Sequence, residues 1–252
     1  NERACISQRE RNKMVFSEKF YIGYSDINRD FGVSNTALLK IFENVSCMHS
    51  DTVGDGMRNS NARWFLRSYH VKIHKRAQHE DRVNARTWSR TTKASSASRE
   101  FEILDENGGL LVAAISNWAR VNMETMRPER IVPEKFACYE SEPDRTNFGE
   151  PWIEKLKEPE SHSFEKSFYI DRNFIDANNH MNNVFYLDLA NLALPEEVYE
   201  KGECNEFEIM YKKAISYGET VKCLFSENET AYTVTVKSED LSDTFAVIVL
   251  YK

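Results

Sequence analysis

Apolar residues recur along this chain in one order of periods, and the order occurs twice. Residues 16–24 form a short strand-like run. A turn at Asp26 follows, then Ser34 in the N-cap position, and Ala37, Leu38, Ile41, Phe42, Val45 and Met48 fall at helical spacing. Strands are predicted at 69–74, 83–90 and 99–104, and Asp105-Glu106-Asn107-Gly108-Gly109 predicts a hairpin turn into 110–121. The second half repeats the programme, with a strand at 163–170, a helix at 184–194 and strands at 207–211, 220–225, 231–237 and 244–251. Strand, helix and a run of antiparallel strands, twice over, predict an α+β fold. The second helix carries Val184, Phe185, Tyr186, Leu187, Leu189, Ala190, Leu192 and Ala193 around nearly its whole circumference. A helix apolar all round is expected to be buried, and a sheet curled around it meets that demand.

Five of the six prolines fall between Pro128 and Pro159, in a segment rich in Glu, Lys and Asp. That composition predicts an exposed connector over 128–162, between a first domain at 14–127 and a second at 163–252. Residues 1–13 are polar and charged and read as a tail rather than a secretory signal. No apolar run is long enough to suggest a membrane span, so no stable membrane association is expected. The net charge of −7 argues against broad nucleic-acid binding. The five cysteines are scattered without a Cys-x-x-Cys pair, as expected of inert reduced thiols in a cytoplasmic protein.

The chemistry concentrates in Asp176-Ala177-Asn178-Asn179-His180-Met181-Asn182-Asn183, immediately before the second helix. The stretch supplies a base, an orienting acid and helix-start N–H groups within one turn, the parts a hydrolase needs. Asp26-Ile27-Asn28-Arg29-Asp30 echoes its beginning about 150 residues earlier with Asp30 in place of the histidine. Asp26, Asn28 and Asp30 are therefore expected to be structural. Turn and cap chemistry is the competing reading of Asp176, Asn182 and Asn183. His49, His70, His74, His79 and His162 have no metal-ligand spacing, so polar or packing roles are expected, with no metal.

The Asp-x-Asn-x-His-x-Asn-Asn pattern before a buried helix resembles the acyl-acyl carrier protein (acyl-ACP) thioesterases. Trp64-Phe65-Leu66, Thr87-Trp88, Arg99-Glu100-Phe101, Arg127-Pro128-Glu129-Arg130-Ile131 and Lys212-Lys213 before Tyr217-Gly218-Glu219 match in the same order. The resemblance implies two tandem hotdog folds, each a curved antiparallel sheet around a long helix, spanning nearly all of 16–252. It implies hydrolysis of fatty acyl-ACP without a cofactor: His180 orients or deprotonates water, and Asp176 and Asn178 polarise or fix the water and the imidazole. Backbone N–H groups near Asn182 and Asn183 are then expected to hold the carbonyl oxygen.

One departure stands out. The position where plant members carry a Glu falls on Ala214, and that of a neighbouring cysteine on Ile215. At about 3.3 Å per residue Glu208 lies roughly 20 Å away along the strand, and Glu219 is offset by an odd number and faces the other side. With no Gly-x-Ser-x-Gly and no cysteine beside the motif, direct hydrolysis is expected rather than an acyl-enzyme.

No acidic residue lies between Asp55 and Glu80, but Arg58, Arg63, Arg67, Lys72, Lys75 and Arg76 do. This basic block is a candidate docking surface for an acidic acyl carrier protein whose phosphopantetheine arm must reach the site, against the alternative of a solvated edge. Two other readings stay open: an acyl-CoA thioesterase, or a non-hydrolytic acyl-thioester binding module. A lone hotdog pairs with a second one, so either a monomer with internal pairing or a homodimer is expected.

Overall fold

The computed structural model describes residues 15–56 and 60–252, so the tail at 1–13 and Arg58 lie outside the described residues. The chain forms two compact units. The first comprises residues up to Val33, Ala37–Arg67 and Ile73–Ile153, and the second Ser34–Thr36, Ser68–Lys72 and Glu154–Lys252.

In the first unit β1 (Phe16–Tyr21) is followed by the helix α1 (Asn35–Thr52), β2 (Ala62–Ile73), β3 (Arg82–Lys93), β4 (Ser96–Leu104), β5 (Leu110–Asn122) and the short β6 (Arg127–Pro128). β1 pairs with β3, β3 with β4, β4 with β5 and β5 with β6, all antiparallel. α1 starts directly after Ser34 and buries Leu38, Ile41, Phe42 and Val45, the positions its periodicity marked. The ring of Phe42 meets that of Phe101 of β4 at 4.8 Å between centroids. The turn before β5 forms as expected: Asp105 Oδ1 accepts from the N–H groups of Asn107 and Gly109, and Gly108 takes a positive φ of 85° that favours glycine.

β2 begins seven residues earlier than its apolar run, at Ala62 rather than Tyr69. Arg63 and Arg67 interrupt the run, but they alternate with the buried Ala62, Leu66 and Ser68, as a strand with one wet face allows.

The proline-rich segment is mostly exposed but is attached to the first unit over much of its length. It contains α2 (Pro133–Phe136), and its residues as far as Ile153 belong to the first unit. Ile131 and Tyr139 are buried. Polar bonds attach the remainder: Trp88 Nε1 donates to the Arg145 carbonyl at 3.1 Å, Asn147 N to Glu100 at 2.6 Å and Ile153 N to Asn117 Oδ1 at 2.8 Å. The Arg145 guanidinium lies 4.2 Å from the centre of the Trp88 ring.

In the second unit β7 (Phe164–Tyr169), the helices α3 (Phe185–Leu192) and α4 (Glu196–Tyr199), β8 (Glu206–Tyr211), β9 (Thr220–Glu227), β10 (Ala231–Ser238) and β11 (Thr244–Tyr251) follow in turn. β7 pairs with β9, β9 with β10, β10 with β11 and β11 with β8, antiparallel throughout. Ser68–Lys72 pairs with β8 within this unit. α3 is shorter than its apolar run, because Pro195 ends what could follow. Nor is it buried all round. Tyr186, Leu187, Leu189 and Ala190 are inside, whereas Leu192 is 52% exposed beside half-buried Phe185, Asp188 and Asn191. Among the described residues no helix is long and apolar enough to cross a membrane, and no group of three His, Cys, Asp or Glu is placed to hold a metal ion.

Candidate active site at the loop before the second-unit helix

The loop from Ile175 to Met181 is a tight hairpin organised by Asp176. Its ends form a β-bridge between Ile175 and Met181, and Asp176 N donates to the His180 carbonyl at 2.8 Å. The Asp176 carboxylate closes the interior. Oδ1 accepts from Asn178 N at 2.7 Å and His180 N at 3.4 Å, while Oδ2 accepts from Asn178 Nδ2 at 3.2 Å. Asn179 takes a positive φ of 60°, a left-handed conformation that asparagine tolerates. Asp176 thus spends its charge on the loop's own backbone and on Asn178, and not on the imidazole. The His180 ring is half-buried and has no hydrogen-bond partner among the described residues.

The helix start carries one open donor. Asn182 N donates to the Phe174 carbonyl at 2.8 Å, and Val184 N to the Asn182 side chain at 3.0 Å. Of the two N–H groups expected to face a ligand, that of Asn182 is therefore committed to the fold. Asn183 N has no acceptor among the described residues. The position of Asn183 is fixed from behind: its carbonyl accepts from the Tyr211 hydroxyl at 3.0 Å, and the Tyr186 and Tyr211 rings meet edge to face at 5.2 Å. Burial pushes the Tyr186 phenol up, so it stays a neutral donor to the Lys213 carbonyl at 3.4 Å. Met181 N donates to the Ile215 carbonyl at 2.8 Å, and His180 bridges to Ser216. The two acids considered as substitutes at Ala214 are engaged elsewhere: Glu208 accepts from the Tyr251 hydroxyl at 2.6 Å, and Glu219 from Ser216 N at 2.6 Å.

The first unit contains the same loop, but two residues out of register with the sequence echo. Ile27 bridges Val33 as Ile175 bridges Met181, and Gly32 bridges Gln78 as His180 bridges Ser216. Asn28 N donates to the Gly32 carbonyl at 2.8 Å, Asp30 N to Asn28 Oδ1 at 3.0 Å, and Phe31 has a φ of 63°. Asn28 therefore corresponds to Asp176, Asp30 to Asn178 and Gly32 to His180. Asp26 lies outside the loop and accepts from Gly23 N at 2.9 Å. The correspondence continues to Arg76 for Ala214 and Asn35 for Asn183. A Cβ at Gly32 would lie 3.1 Å from Arg76 Cβ, so the first loop has an arginine beside a glycine where the second has Ala214 and a histidine. Asn35 N, the counterpart of the open Asn183 donor, donates to both carboxylate oxygens of Glu203, at 3.2 and 3.3 Å. That N–H position attracts negatively charged oxygen.

Three residues of the basic block have partners within the chain. Arg63 donates to the Ser60 carbonyl, Arg76 to the Val33 carbonyl at 2.7 Å, and Lys72 pairs with Glu206 at 3.3 Å. Arg67 and Lys75 are exposed, and their side chains have no partner among the described residues. His49, among the histidines, is fully buried and accepts from Arg99 at 2.9 Å.

Two units, each with antiparallel strands, its own helix and the same hairpin before it, define a tandem hotdog protein. Residues 13–139 match the acyl-ACP thioesterase N-terminal domain and residues 157–249 the acyl-ACP thioesterase C-terminal domain, so the chain belongs to the acyl-ACP thioesterase family. An oleoyl-acyl carrier protein thioesterase of Arabidopsis thaliana is 25% identical over 248 residues, which cover 88% of this chain and 65% of that protein. The chain thus spans about two thirds of that relative's length. Among solved structures, an acyl-ACP thioesterase from Bacteroides thetaiotaomicron superposes with a TM-score of 0.84 at 20% identity, covering 96% of this chain and 99% of that one. The 12:0-ACP thioesterase from Umbellularia californica gives 0.80 at 18% identity, covering 94% and 97%. At these identities the structural likeness establishes the fold.

Proposed function

We propose that the chain hydrolyses fatty acyl-ACP, releasing a free fatty acid and the carrier's thiol. The observation that carries this reading is the His180 to Asn183 turn, in which an unengaged imidazole and an unengaged helix-start N–H stand three residues apart. Water held by His180 attacks the thioester carbonyl carbon, and its proton passes to the imidazole. The carbonyl π pair moves onto oxygen, to which Asn183 N–H donates as the charge develops, as Asn35 N–H donates to Glu203. The tetrahedral intermediate then re-forms the carbonyl and expels the thiolate, a weak base that needs little protonation to leave. The imidazolium returns its proton to the thiolate or to solvent.

Asp176 acts by holding the loop, and exposed Asn178 supplies an amide oxygen to the same water. No nucleophilic side chain is required, because the neighbouring strand position is the buried Ile215. Arg67 and Lys75 offer charge to an acidic carrier, with the other basic residues contributing less because their partners are within the chain. Ala214 favours one competing reading, a module that binds acyl thioesters without cleaving them.

Acyl-ACP and acyl-CoA of matched chain length separate these cases when fatty acid and thiol are both quantified. The reading predicts one fatty acid per thiol and a higher kcat/KM with ACP. Binding without turnover would establish the competing module, and a higher kcat/KM with CoA would replace the carrier.

A further inference from the structure

The His180 imidazole must present one nitrogen to water while something holds the other, because an untethered ring divides its time between tautomers and orientations. The Asp176 carboxylate is occupied with the loop backbone and Asn178. Ala214 carries no polar atom, and Glu208 and Glu219 are bonded elsewhere.

Directly across the bridge from His180 is Ser216. The flanking bond runs from Met181 N to the Ile215 carbonyl. The His180–Ser216 pair is therefore of the non-hydrogen-bonded antiparallel kind, in which Cα atoms lie about 4.5 Å apart and both side chains rise from one face. The corresponding place in the first unit shows the same direction: a Cβ on Gly32 would lie 3.5 Å from Gln78 Nε2. Ser216 N is held by Glu219 at 2.6 Å, which fixes the backbone under the hydroxyl. The Ser216 hydroxyl, like the His180 ring, has no partner among the described residues.

We infer that Ser216 is the positioning residue for His180: a rotation of these two unpartnered side chains lets Ser216 Oγ accept from Nδ1–H, so that the Nε2 lone pair faces the attacking water. This rests on the hydrolytic reading of the same loop, and it names the group that takes over orientation where Ala214 stands. An exposed serine on a turn is ordinarily a solvated side chain. What singles out Ser216 is its cross-strand pairing with the one histidine of the loop.

The test combines kinetics with ¹⁵N NMR of the His180 ring in the full chain. Ser216→Ala lowers kcat by about 3- to 10-fold, the equivalent of one hydrogen bond, with KM unchanged. Ser216→Thr keeps the hydroxyl and restores the rate, and Ala214→Glu in the Ser216→Ala background also restores it by supplying a carboxylate on the same face. The NMR spectrum shows the Nδ1–H tautomer in the wild type and a mixture in Ser216→Ala. An unchanged tautomer and kcat in Ser216→Ala, or a Ser216→Thr variant as slow as Ser216→Ala, overturns the inference. A wild type that fails to hydrolyse any thioester defeats the proposed function instead, and the NMR comparison still decides the role of Ser216.

Discussion

Replacing Asp176 by Asn and by Ala separates loop-holding from charge. The Asp176 carboxylate makes three contacts: Asn178 N at 2.7 Å, Asn178 Nδ2 at 3.2 Å and His180 N at 3.4 Å. The first is short and to a charged acceptor, the last is long, and the site is half in water, so their joint contribution is about 2–3 kcal/mol. Ala removes all of it. In a chain of this size that lowers Tm by roughly 5–10 °C. It also frees the backbone that sets His180, and a displacement of about 1 Å costs on the order of 100-fold in kcat. Asn keeps Oδ1 as an acceptor for both backbone N–H groups. The first unit already does this, with Asn28 Oδ1 accepting from Asp30 N at 3.0 Å in the same turn. Asp176→Asn is accordingly expected to melt within about 2 °C of wild type and to keep kcat within about 10-fold, since about one hydrogen bond is at stake. Thiol release from acyl-ACP and a thermal melt measure both quantities. If Asp176→Asn is as slow as Asp176→Ala while both remain folded, the negative charge itself takes part in the chemistry, and the loop-holding argument is refuted.

Two other predictions use charge. Glu158 bridges Lys212 at 2.6 Å, Thr244 at 3.1 Å and Lys237 at 3.2 Å. The bond from Lys212, with those from Lys237 and Thr244, holds its carboxyl down from the ordinary 4.5 to about 2 against a smaller opposing effect of burial. A depressed carboxyl stabilises the fold fully above its unfolded pKa and loses that contribution as pH falls through the folded one. After solvent screening the contribution is about 1 kcal/mol, so Glu158→Gln lowers Tm at neutral pH and the gap narrows between about pH 5 and pH 2; a gap independent of pH contradicts the assignment. Charge reversal in Arg67→Glu with Lys75→Glu is expected to raise KM for acyl-ACP several-fold at low salt and to leave hydrolysis of an acyl-pantetheine unchanged. An equal effect on both substrates would remove these residues from carrier docking.

Much of the fold was legible because each period was unambiguous. β11 was marked at its observed bounds, Thr244–Tyr251, since seven of its eight residues are apolar or aromatic and turn residues precede it. α1 was marked by residues that all proved to line one buried face except Met48, which is 40% exposed. β2 was read too short because hydrophobicity alone does not extend a strand through Arg63 and Arg67; backbone pairing does. The proline-rich segment is mostly exposed, as its composition suggests, but its attachment to the first unit is not legible in the sequence. Its attachment is through Trp88, Glu100 and Asn117 to backbone groups, which leaves no periodic trace.

At the site, the sequence identified the loop but not its internal division of labour. The echo of Asp26 and Asn28 matched letters, whereas the bridges match Asn28 with Asp176, because the turn's geometry and not its composition repeats. The commitment of Asn182 N to Phe174 and the pairing of His180 with Ser216 depend on which strands lie alongside, and a linear pattern carries no such information. The one usable signal was the repeat itself. It sets Gly32 against His180 but does not locate Ser216, because Gly32 and Gln78 are 46 residues apart and His180 and Ser216 only 36.

The most direct measurement of the central claim is steady-state hydrolysis of acyl-ACP by wild type and His180→Ala, with folding checked by the melt. The account predicts that wild type turns over and that His180→Ala loses about 100- to 10,000-fold in kcat with KM nearly unchanged, as expected when a general base is removed. Equal kcat in the two proteins would contradict it.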